Sequence, residues 1–305
     1  MKRALATAIL FASALAIRAQ IMTAHVPMSK VAGIEIVQVS LNGTGPYAFI
    51  LDTGANTTVV KRQVLHQLNV PAEQPVTIAS SLGDARHQRA EIGSVAIAGL
   101  SVEHVEVNTL EDGQLGALEG RVQGILGENI LKNFDLLIDN DRQLLILDRT
   151  SSLGDSLSGE HLQLSRSGSF HQAPTADRIV VQLKAPSVLP RPLLFLLDSG
   201  ANVAMLYPSQ GETMQSSHHG SIQSLHTNRS CQVERTNLVV GFHTYSQVQL
   251  ATCEGMTRDK TDSDGLLPTT IFRQLFISHR EDYLIANPQP VAKATAMFDR
   301  VAQSR

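Results

Sequence analysis

One sequence pattern occurs twice in this chain, and the duplication limits what the chain can fold into. Residues 49–56 read FILDTGAN and residues 195–202 read FLLDSGAN. Each copy follows an apolar run, at residues 36–39 and 179–183, and a turn that contains glycine or proline. Such a copy predicts a short strand, a turn, a second buried strand and a polar loop. The chain is therefore expected to consist of two similar halves.

The duplication continues further along each half. Gly124 begins the sequence GILG in the first half, and Gly265 begins GLLP in the second. Alternating apolar runs between these landmarks, such as residues 94–97 and 102–107, favour strands. Helical patterns are few and short, and they occur at residues 61–68, 129–134 and 291–301. The sequence predicts a mainly β fold with few short helices.

Asp52 and Asp198 carry the chemistry that the repeated loops suggest. Each follows three large apolar residues, so it is expected at the end of a buried strand, where desolvation raises the pKa of a carboxyl group. If the two loops meet, the carboxyl groups share one proton, because like charges about 3 Å apart are not both ionised easily. The pair then holds an acid and a base, which together can activate a water molecule. The alternative interpretation is two turn aspartates that each cap a backbone amide.

Six neighbouring residues are predicted to support the two aspartates. A hydroxyl group after each aspartate can bond to the other loop, a glycine lets the backbone turn beside each carboxyl group, and a strand-end glycine stands behind each loop. These residues are Thr53, Gly54, Ser199, Gly200, Gly124 and Gly265. The sequence has no convincing Ser-His-Asp or Cys-His arrangement and no cysteine or histidine pair at zinc spacing, so neither a covalent intermediate nor a metal is predicted.

The two loops and the apolar segment before Gly127 resemble the pepsin/retropepsin superfamily of aspartic proteases. The resemblance is carried by DTGA at residues 52–55, DSGA at residues 198–201 and ILG at residues 125–127. Alanine after the glycine is more similar to the retropepsin branch. The resemblance covers residues 31–286.

This resemblance implies two β-barrel-like lobes that flank a substrate cleft, each with a hairpin flap. The flaps are expected near residues 80–91 and 225–234, and Gly83 would form a mobile tip of the first. The implied activity is that of an aspartic-type endopeptidase, which hydrolyses peptide bonds in an extended polypeptide substrate without a cofactor. One chain supplies both halves of the site, so a monomer is sufficient.

Two departures from the family pattern concern the geometry of the lobes. The second half has Pro268 where the first half has Gly127, and the first flap region contains no tyrosine. They keep open a second interpretation, a non-catalytic peptide-binding module on the same fold. A third, an unrelated exported β-rich binding protein, would make the repeated loop a coincidence.

The first twenty residues are typical of a secretory signal peptide. Lys2 and Arg3 precede an apolar run at residues 4–17, and small residues follow at Ala16 and Ala19. The run is shorter than the roughly 20 residues that a membrane-spanning helix needs, which favours cleavage over a retained anchor. The mature protein is therefore expected in the periplasm or outside the cell, with no stable membrane span.

Composition and the remaining landmarks give the organisation of the chain. A net charge of -3 and a pI near 6.4 supply no electrostatic reason to expect a nucleic-acid partner. Cys231 and Cys253 are either a disulfide of an oxidising compartment or two buried free thiols. The predicted divisions are a signal peptide at 1–20, a first lobe at 21–149, a linker at 150–177, a second lobe at 178–287 and a C-terminal helical tail at 288–305.

Overall fold

The computed structural model describes most of the chain between residues 22 and 291. The described ranges are 22–73, 75–78, 85–167, 178–207, 219–223, 228–253 and 263–291. The predicted signal peptide, the tips of both predicted flaps including Gly83, and the C-terminal helix beyond residue 291 lie outside them. These features, and the domain boundaries, stay predictions.

The described residues are predominantly in β-strands. In the first half the strands are β1 (Thr23–Pro27), β2 (Ser29–Val31), β3 (Ile34–Leu41), β4 (Thr44–Leu51), β5 (Val59–Lys61), β6 (Pro75–Ile78), β7 (Ala85–Ile97), β8 (Leu100–Leu110), β9 (Gly124–Leu126), β10 (Asp135–Asp139), β11 (Leu144–Asp148) and β12 (Leu157–Ser158). In the second half they are β13 (Leu162–Gln163), β14 (Ser165–Ser167), β15 (Arg178–Ala185), β16 (Leu189–Asp198), β17 (Ala204–Leu206), β18 (His219–Gln223), β19 (Asn228–Val240), β20 (His243–Cys253), β21 (Gly265–Pro268), β22 (Gln274–Ser278), β23 (Tyr283–Ala286) and β24 (Gln289–Pro290). The prediction of a mainly β fold is confirmed.

Helices are few and short in the described part of the chain, as predicted. The α-helices there are α1 (Arg62–Gln67), α2 (Glu128–Leu131) and α3 (Ser152–Asp155). The first two overlap the predicted helical segments, whereas α3 lies in the segment predicted as a linker, which also contains short strands. Among the described residues, no helix has the length and apolar character needed to cross a membrane.

Each half of the chain forms a closed six-stranded barrel. In the first half the order β3-β4-β9-β5-β8-β7 returns to its start, because Ser40 and Leu41 of β3 pair with β7. In the second half β15-β16-β21-β17-β20-β19 closes in the same way through Lys184 and Val239. Every strand of the second barrel is the counterpart of the strand twelve places earlier. The duplicated sequence therefore folds into two equivalent barrels.

A third sheet joins the two halves. Its order is β1-β11-β10-β22-β23-β13, so the first half supplies one side and the second half the other. The seam is the antiparallel pair β10 and β22, where Leu136 lies opposite Ile277 and Ile138 opposite Leu275. These residues belong to one buried hydrophobic cluster that also runs through both barrels. The two barrels are thereby fixed relative to each other by continuous hydrogen bonding and burial.

The two cysteines form a disulfide. Cys231 of β19 and Cys253 of β20 are directly opposed in the antiparallel pair, and their Cα atoms are 4.1 Å apart. Of the two possibilities that the sequence left open, the structure has the bonded one. The disulfide packs against Tyr207 and Leu266 and closes the end of the second barrel that continues into the hairpin β18–β19.

Candidate active site

In the first barrel, Asp52 lies at the edge of the buried core, directly after the strand β4. Phe49 and Leu51 are fully buried at the end of β4, and Asp52 is the next residue along the chain. The parallel strand β9 lies beside β4, and the Asp52 N–H donates to Leu126 O at 3.1 Å. Burial of these apolar residues thus fixes the position of the Asp52 carboxyl group.

The second barrel presents Asp198 in the same way. Phe195 and Leu197 are fully buried in β16, which runs parallel to β21. The register places Asp198 opposite Pro268, which is itself the last residue of β21. Proline at this position therefore continues the strand beside the aspartate, and this departure from the family pattern leaves the strand pairing around Asp198 intact.

The two loops meet, and their carboxyl groups are in contact. The Asp52 and Asp198 side chains are hydrogen-bonded to each other, and both residues are partly exposed. Each carboxyl group also packs against the glycine of the opposite loop. A Cβ atom on Gly54 would lie 2.6 Å from Asp198 Cγ, and one on Gly200 would lie 2.7 Å from Asp52 Cγ. Glycine is therefore required at both positions by the closeness of the two loops.

Four hydrogen bonds cross between the loops below the carboxyl groups. Thr53 N–H donates to Ser199 Oγ at 3.0 Å, and Ser199 N–H donates to Thr53 Oγ1 at 3.1 Å. Each hydroxyl group also donates a hydrogen bond, Thr53 Oγ1 to Leu197 O at 2.9 Å and Ser199 Oγ to Leu51 O at 2.8 Å. Both side chains are fully buried. The predicted support residues therefore bind the loops together reciprocally.

The environment of Asp52 favours the protonated form of its carboxyl group. Burial raises the pKa of Asp52 to about 6, and the nearby charge of Glu128 acts in the same direction. The N–H groups of Gly54 and Ala55 donate to Asp52 Oδ1 at 2.9 Å each, and these bonds, with the one to Asp198, oppose the rise in pKa. Desolvation is the larger effect, so Asp52 keeps its proton to a higher pH than an ordinary aspartate does.

Comparison with known families agrees with this geometry. Residues 37–130 match the family model of aspartyl proteases, and the match runs from β3 into α2 and includes the Asp52 loop. The match supports a retropepsin-like aspartic protease family for the first half of the chain. No curated protein matches the chain. The second half lies outside the matched residues, and its likeness to an aspartyl protease lobe comes from the equivalence of the two barrels.

The strand-end glycines of the two barrels lie beneath aromatic rings. A Cβ atom on Gly124 would overlap the Phe49 ring and Val59 O, and one on Gly265 would overlap the Phe195 ring and Met205 O. Each phenylalanine belongs to the strand that leads to an aspartate. The two glycines thus allow each aspartate-bearing strand to pack closely on its neighbour.

The two loops are supported differently, which sequence reasoning missed. In the first lobe Thr58 Oγ1 accepts the Gly127 N–H at 3.0 Å and donates to Asn129 Oδ1 at 2.8 Å. At the equivalent places the second lobe has Ala204 and Pro268, which lack the hydroxyl group and the N–H. Donor and acceptor are absent together, so neither is left unsatisfied. The paired change explains how the second lobe tolerates its proline.

Glu128 and His279 are further ionisable groups near the aspartates, and no sequence pattern singled them out. They contact each other, at 2.9 Å between Oε2 and Nε2, and both side chains are buried. Within the described ranges, no group of three or more histidine, cysteine, aspartate or glutamate side chains could hold a metal ion. The site therefore consists of two carboxyl groups, their cross-bonded loops and one buried Glu–His pair.

Replacing Gly54 or Gly200 by alanine is expected to separate the carboxyl groups. Each new methyl group would occupy the space of the opposite carboxyl group, so the aspartate must move while the barrels stay folded. We expect peptide cleavage to fall about 100-fold, following the sensitivity of catalysis to small displacements. The measurement is the initial rate of cleavage of one peptide.

Gly113→Ala is the control for this pair of substitutions. It lies on an exposed turn with open space around it, so alanine there strains the backbone at its positive φ without displacing any neighbour. Its cleavage rate should equal that of the wild type. Full activity of the Gly54 and Gly200 variants would contradict the close packing of the loops.

Proposed function

We propose that this chain is an aspartic endopeptidase that uses Asp52 and Asp198 as one catalytic pair. The observation that carries the proposal is the direct hydrogen bond between two carboxyl groups, one from each barrel, above a reciprocal set of four loop bonds. The family match of the first half supports a peptide hydrolase in general. The second half supplies the other carboxyl group.

The geometry suits attack by a water molecule rather than by a side chain. With one proton on the pair, the ionised aspartate accepts a proton from a water placed between the two groups, and the water oxygen attacks the peptide carbonyl carbon. The protonated aspartate donates to the developing oxyanion. When the tetrahedral intermediate collapses, the C–N bond breaks, the aspartate that took the water proton gives it to the leaving amine, and the other aspartate regains a proton from a hydroxyl group of the intermediate, which becomes the carboxyl product. Because Gly54 and Ala55 already occupy Asp52 Oδ1, Oδ2 is the oxygen available for the water.

The substrate we propose is an exported or cell-envelope polypeptide, bound in extended form between the lobes. The apolar leader supports export, and the Cys231–Cys253 disulfide suits an oxidising compartment such as the periplasm or the cell exterior. Extended peptides bind to sheet proteins through main-chain hydrogen bonds, and both lobes contain long hairpins, β7–β8 and β19–β20.

The direct test is hydrolysis of a mixed peptide library by the chain without residues 1–20. Between pH 3 and pH 8, mass spectrometry is expected to detect cleavage within the peptides. A peptide that carries a secondary hydroxyl group in place of the scissile carbonyl should block it, because that hydroxyl takes the place of the attacking water. Binding of library peptides without cleavage at any pH would contradict the proposal and favour the non-catalytic peptide-binding module.

The pH dependence of cleavage should follow the proton on the pair. Raising the pH through about 6 removes the proton that the acid partner needs, since burial raises the pKa of Asp52 to about 6. We expect kcat/KM to fall about tenfold for each pH unit above that value. A pH series of initial rates on one cleaved peptide measures this limb. Constant activity up to pH 8 would contradict the shared-proton mechanism.

A further inference from the structure

The start of α2 carries the Asp52 loop. Glu128 N–H donates to Ala55 O at 2.8 Å, and Asn129 N–H donates to Asn56 O at 3.0 Å. Ala55 in turn donates its own N–H to the Asp52 carboxyl group at 2.9 Å. Only one residue of the loop therefore separates the backbone of Glu128 from the catalytic aspartate. Ala55 thus links the backbone of Glu128 to the Asp52 carboxyl group through two hydrogen bonds.

The side chain of Glu128 is fixed by the other half of the chain. It is fully buried, and its Oε2 atom lies 2.9 Å from Nε2 of His279, whose side chain is 2% exposed. His279 directly follows β22, the seam strand that the second half contributes to the sheet between the lobes. Its Nδ1 atom lies 2.7 Å from Phe134 O. His279 thus links the Asp52 loop to the seam between the two halves.

Two contacts of the His279 ring decide where its protons lie. A carbonyl oxygen can only accept, so Nδ1 must carry a hydrogen and donate it to Phe134 O. The contact between Nε2 and Glu128 then contains one further proton, because two acceptors cannot bond to each other. When that proton is on the imidazole, Glu128 is a carboxylate paired with an imidazolium. Loss of either partner leaves the other charge buried without compensation, which is costly.

The surrounding charges define what the pair can influence. Asp52 is the ionisable group facing Glu128 from the catalytic loop, and the charge of Glu128 raises its pKa. On the other side, Asp135 of β10 lies near His279 and accepts the Arg280 N–H at 3.2 Å. The pair is therefore flanked by an acid on each side, and Arg280 contacts the second of these acids.

We propose that Glu128 and His279 are positioning residues that act as a buried ion pair, holding the Asp52 loop on the inter-lobe seam and setting the charge beside the catalytic pair. This inference rests on the proposed peptidase function. Neither residue touches the substrate or the reacting atoms. The ion pair gives the second half of the chain a direct influence on the aspartate of the first half.

Glu128→Gln and His279→Gln test the inference through the pH profile of kcat/KM. Glutamine at 128 removes the negative charge beside Asp52, so the alkaline limb should move to lower pH. Glutamine at 279 removes the positive charge while its Nε2 group can still donate to Glu128, so the limb should move to higher pH. We expect shifts of about half a pH unit or more in opposite directions, a drop in kcat of about tenfold and little change in KM.

The exposed pair Glu91 and His104 gives the matched control. Its Oε1 and Nδ1 atoms are 3.0 Å apart on β7 and β8, and both side chains are mostly exposed. Glu91→Gln and His104→Gln should leave the pH profile unchanged because solvent screens an exposed pair. Shifts of the Glu128 and His279 variants in the same direction, or in neither, would overturn the inference.

A second measurement serves if a variant fails to fold, or if the wild-type chain cleaves no peptide. Carboxyl ¹³C NMR of the wild-type chain follows Glu128 and Asp52 as separate signals during a pH titration and needs no activity. A Glu128 signal that stays ionised while Asp52 titrates supports the ion pair. A Glu128 signal that stays protonated through that range would overturn it, whether or not the peptidase proposal survives.

Discussion

Replacing Asp52 or Asp198 by asparagine is expected to lower kcat/KM for peptide cleavage by about 10³-fold or more. An amide can neither accept the water proton as a base nor donate as a carboxylic acid, so either substitution leaves one carboxyl group without its partner. The two variants should be equally inactive because the proton is shared. Steady-state cleavage of one peptide identified from the library measures the loss.

The asparagine variants are also expected to fold. In Asp52→Asn, the amide oxygen would still accept the Gly54 and Ala55 N–H groups that now donate to the carboxyl group. Because the pKa of Asp52 is raised in the folded state, its ionisation costs stability as the pH rises from about 4 to about 6. Asp52→Asn removes that cost, which is at most about 3 kcal/mol. The variant should therefore be more stable than the wild type at pH 7.5 and equally stable near pH 3.

Asp112→Asn makes the same chemical change on an exposed loop and is the matched control. It should leave both cleavage and the pH dependence of the melting temperature unchanged. Wild-type cleavage rates in either catalytic variant would contradict the two-aspartate mechanism. If Asp52→Asn loses activity because it unfolds, Asp198→Asn serves as the test instead. A folded Asp198→Asn protein that binds the peptides but no longer cleaves them would support the mechanism.

The second large effect is expected from the hydroxyl groups that cross between the loops. Thr53→Val removes the donor to Leu197 O and the acceptor of the Ser199 N–H, and both of those backbone groups are buried. Two buried unsatisfied groups cost about 2–4 kcal/mol of unfolding free energy. Ser199→Ala orphans Leu51 O and the Thr53 N–H in the same way. Denaturant unfolding should report similar losses for the two variants.

Activity should fall together with stability in these variants, because the same bonds hold the carboxyl groups in contact. Thr53→Ser retains the hydroxyl group and should restore most of both properties. Thr44→Val, exposed at the start of β4, is the control for the loss of a threonine hydroxyl group. An unfolding free energy and cleavage rate equal to wild type in Thr53→Val would mean that the cross-loop bonds contribute little.

The strands and their duplication were predictable because that information is local and repeated, whereas the barrels were expected only from the family resemblance. The buried ends of β4 and β16 are consecutive apolar residues beside a polar loop, and the duplication shows that both halves obey the same plan. The seam was not predicted. The apolar residues around Leu136 and Ile138 indicate a buried strand but do not identify the strand that pairs with it. Nothing near them specifies pairing with Ile277 and Leu275. Pairing between distant strands is decided by the assembled core rather than by the local pattern.

The candidate site shows the same contrast between local motifs and contacts that join distant segments. The aspartates, hydroxyl groups and glycines lie in one short motif, so their types and spacing indicated their roles before any contact was known. Glu128 and His279 are 151 residues apart, and each alone is an unremarkable residue after a strand. The hydrogen bond of Thr58 to Asn129 similarly spans 71 residues. Such pairs become visible only when the fold brings their elements together.

The site is built from two unequal halves of one chain, so a substitution affects only one side of it. In an assembly of identical subunits, every substitution at the shared centre appears twice, and both sides of a bound peptide meet the same surface. Here Thr58 and Asn129 stand on one side, whereas Ala204 and Thr270 stand at the equivalent places on the other. A substitution in one half therefore changes the support of one aspartate loop and leaves that of the other unchanged.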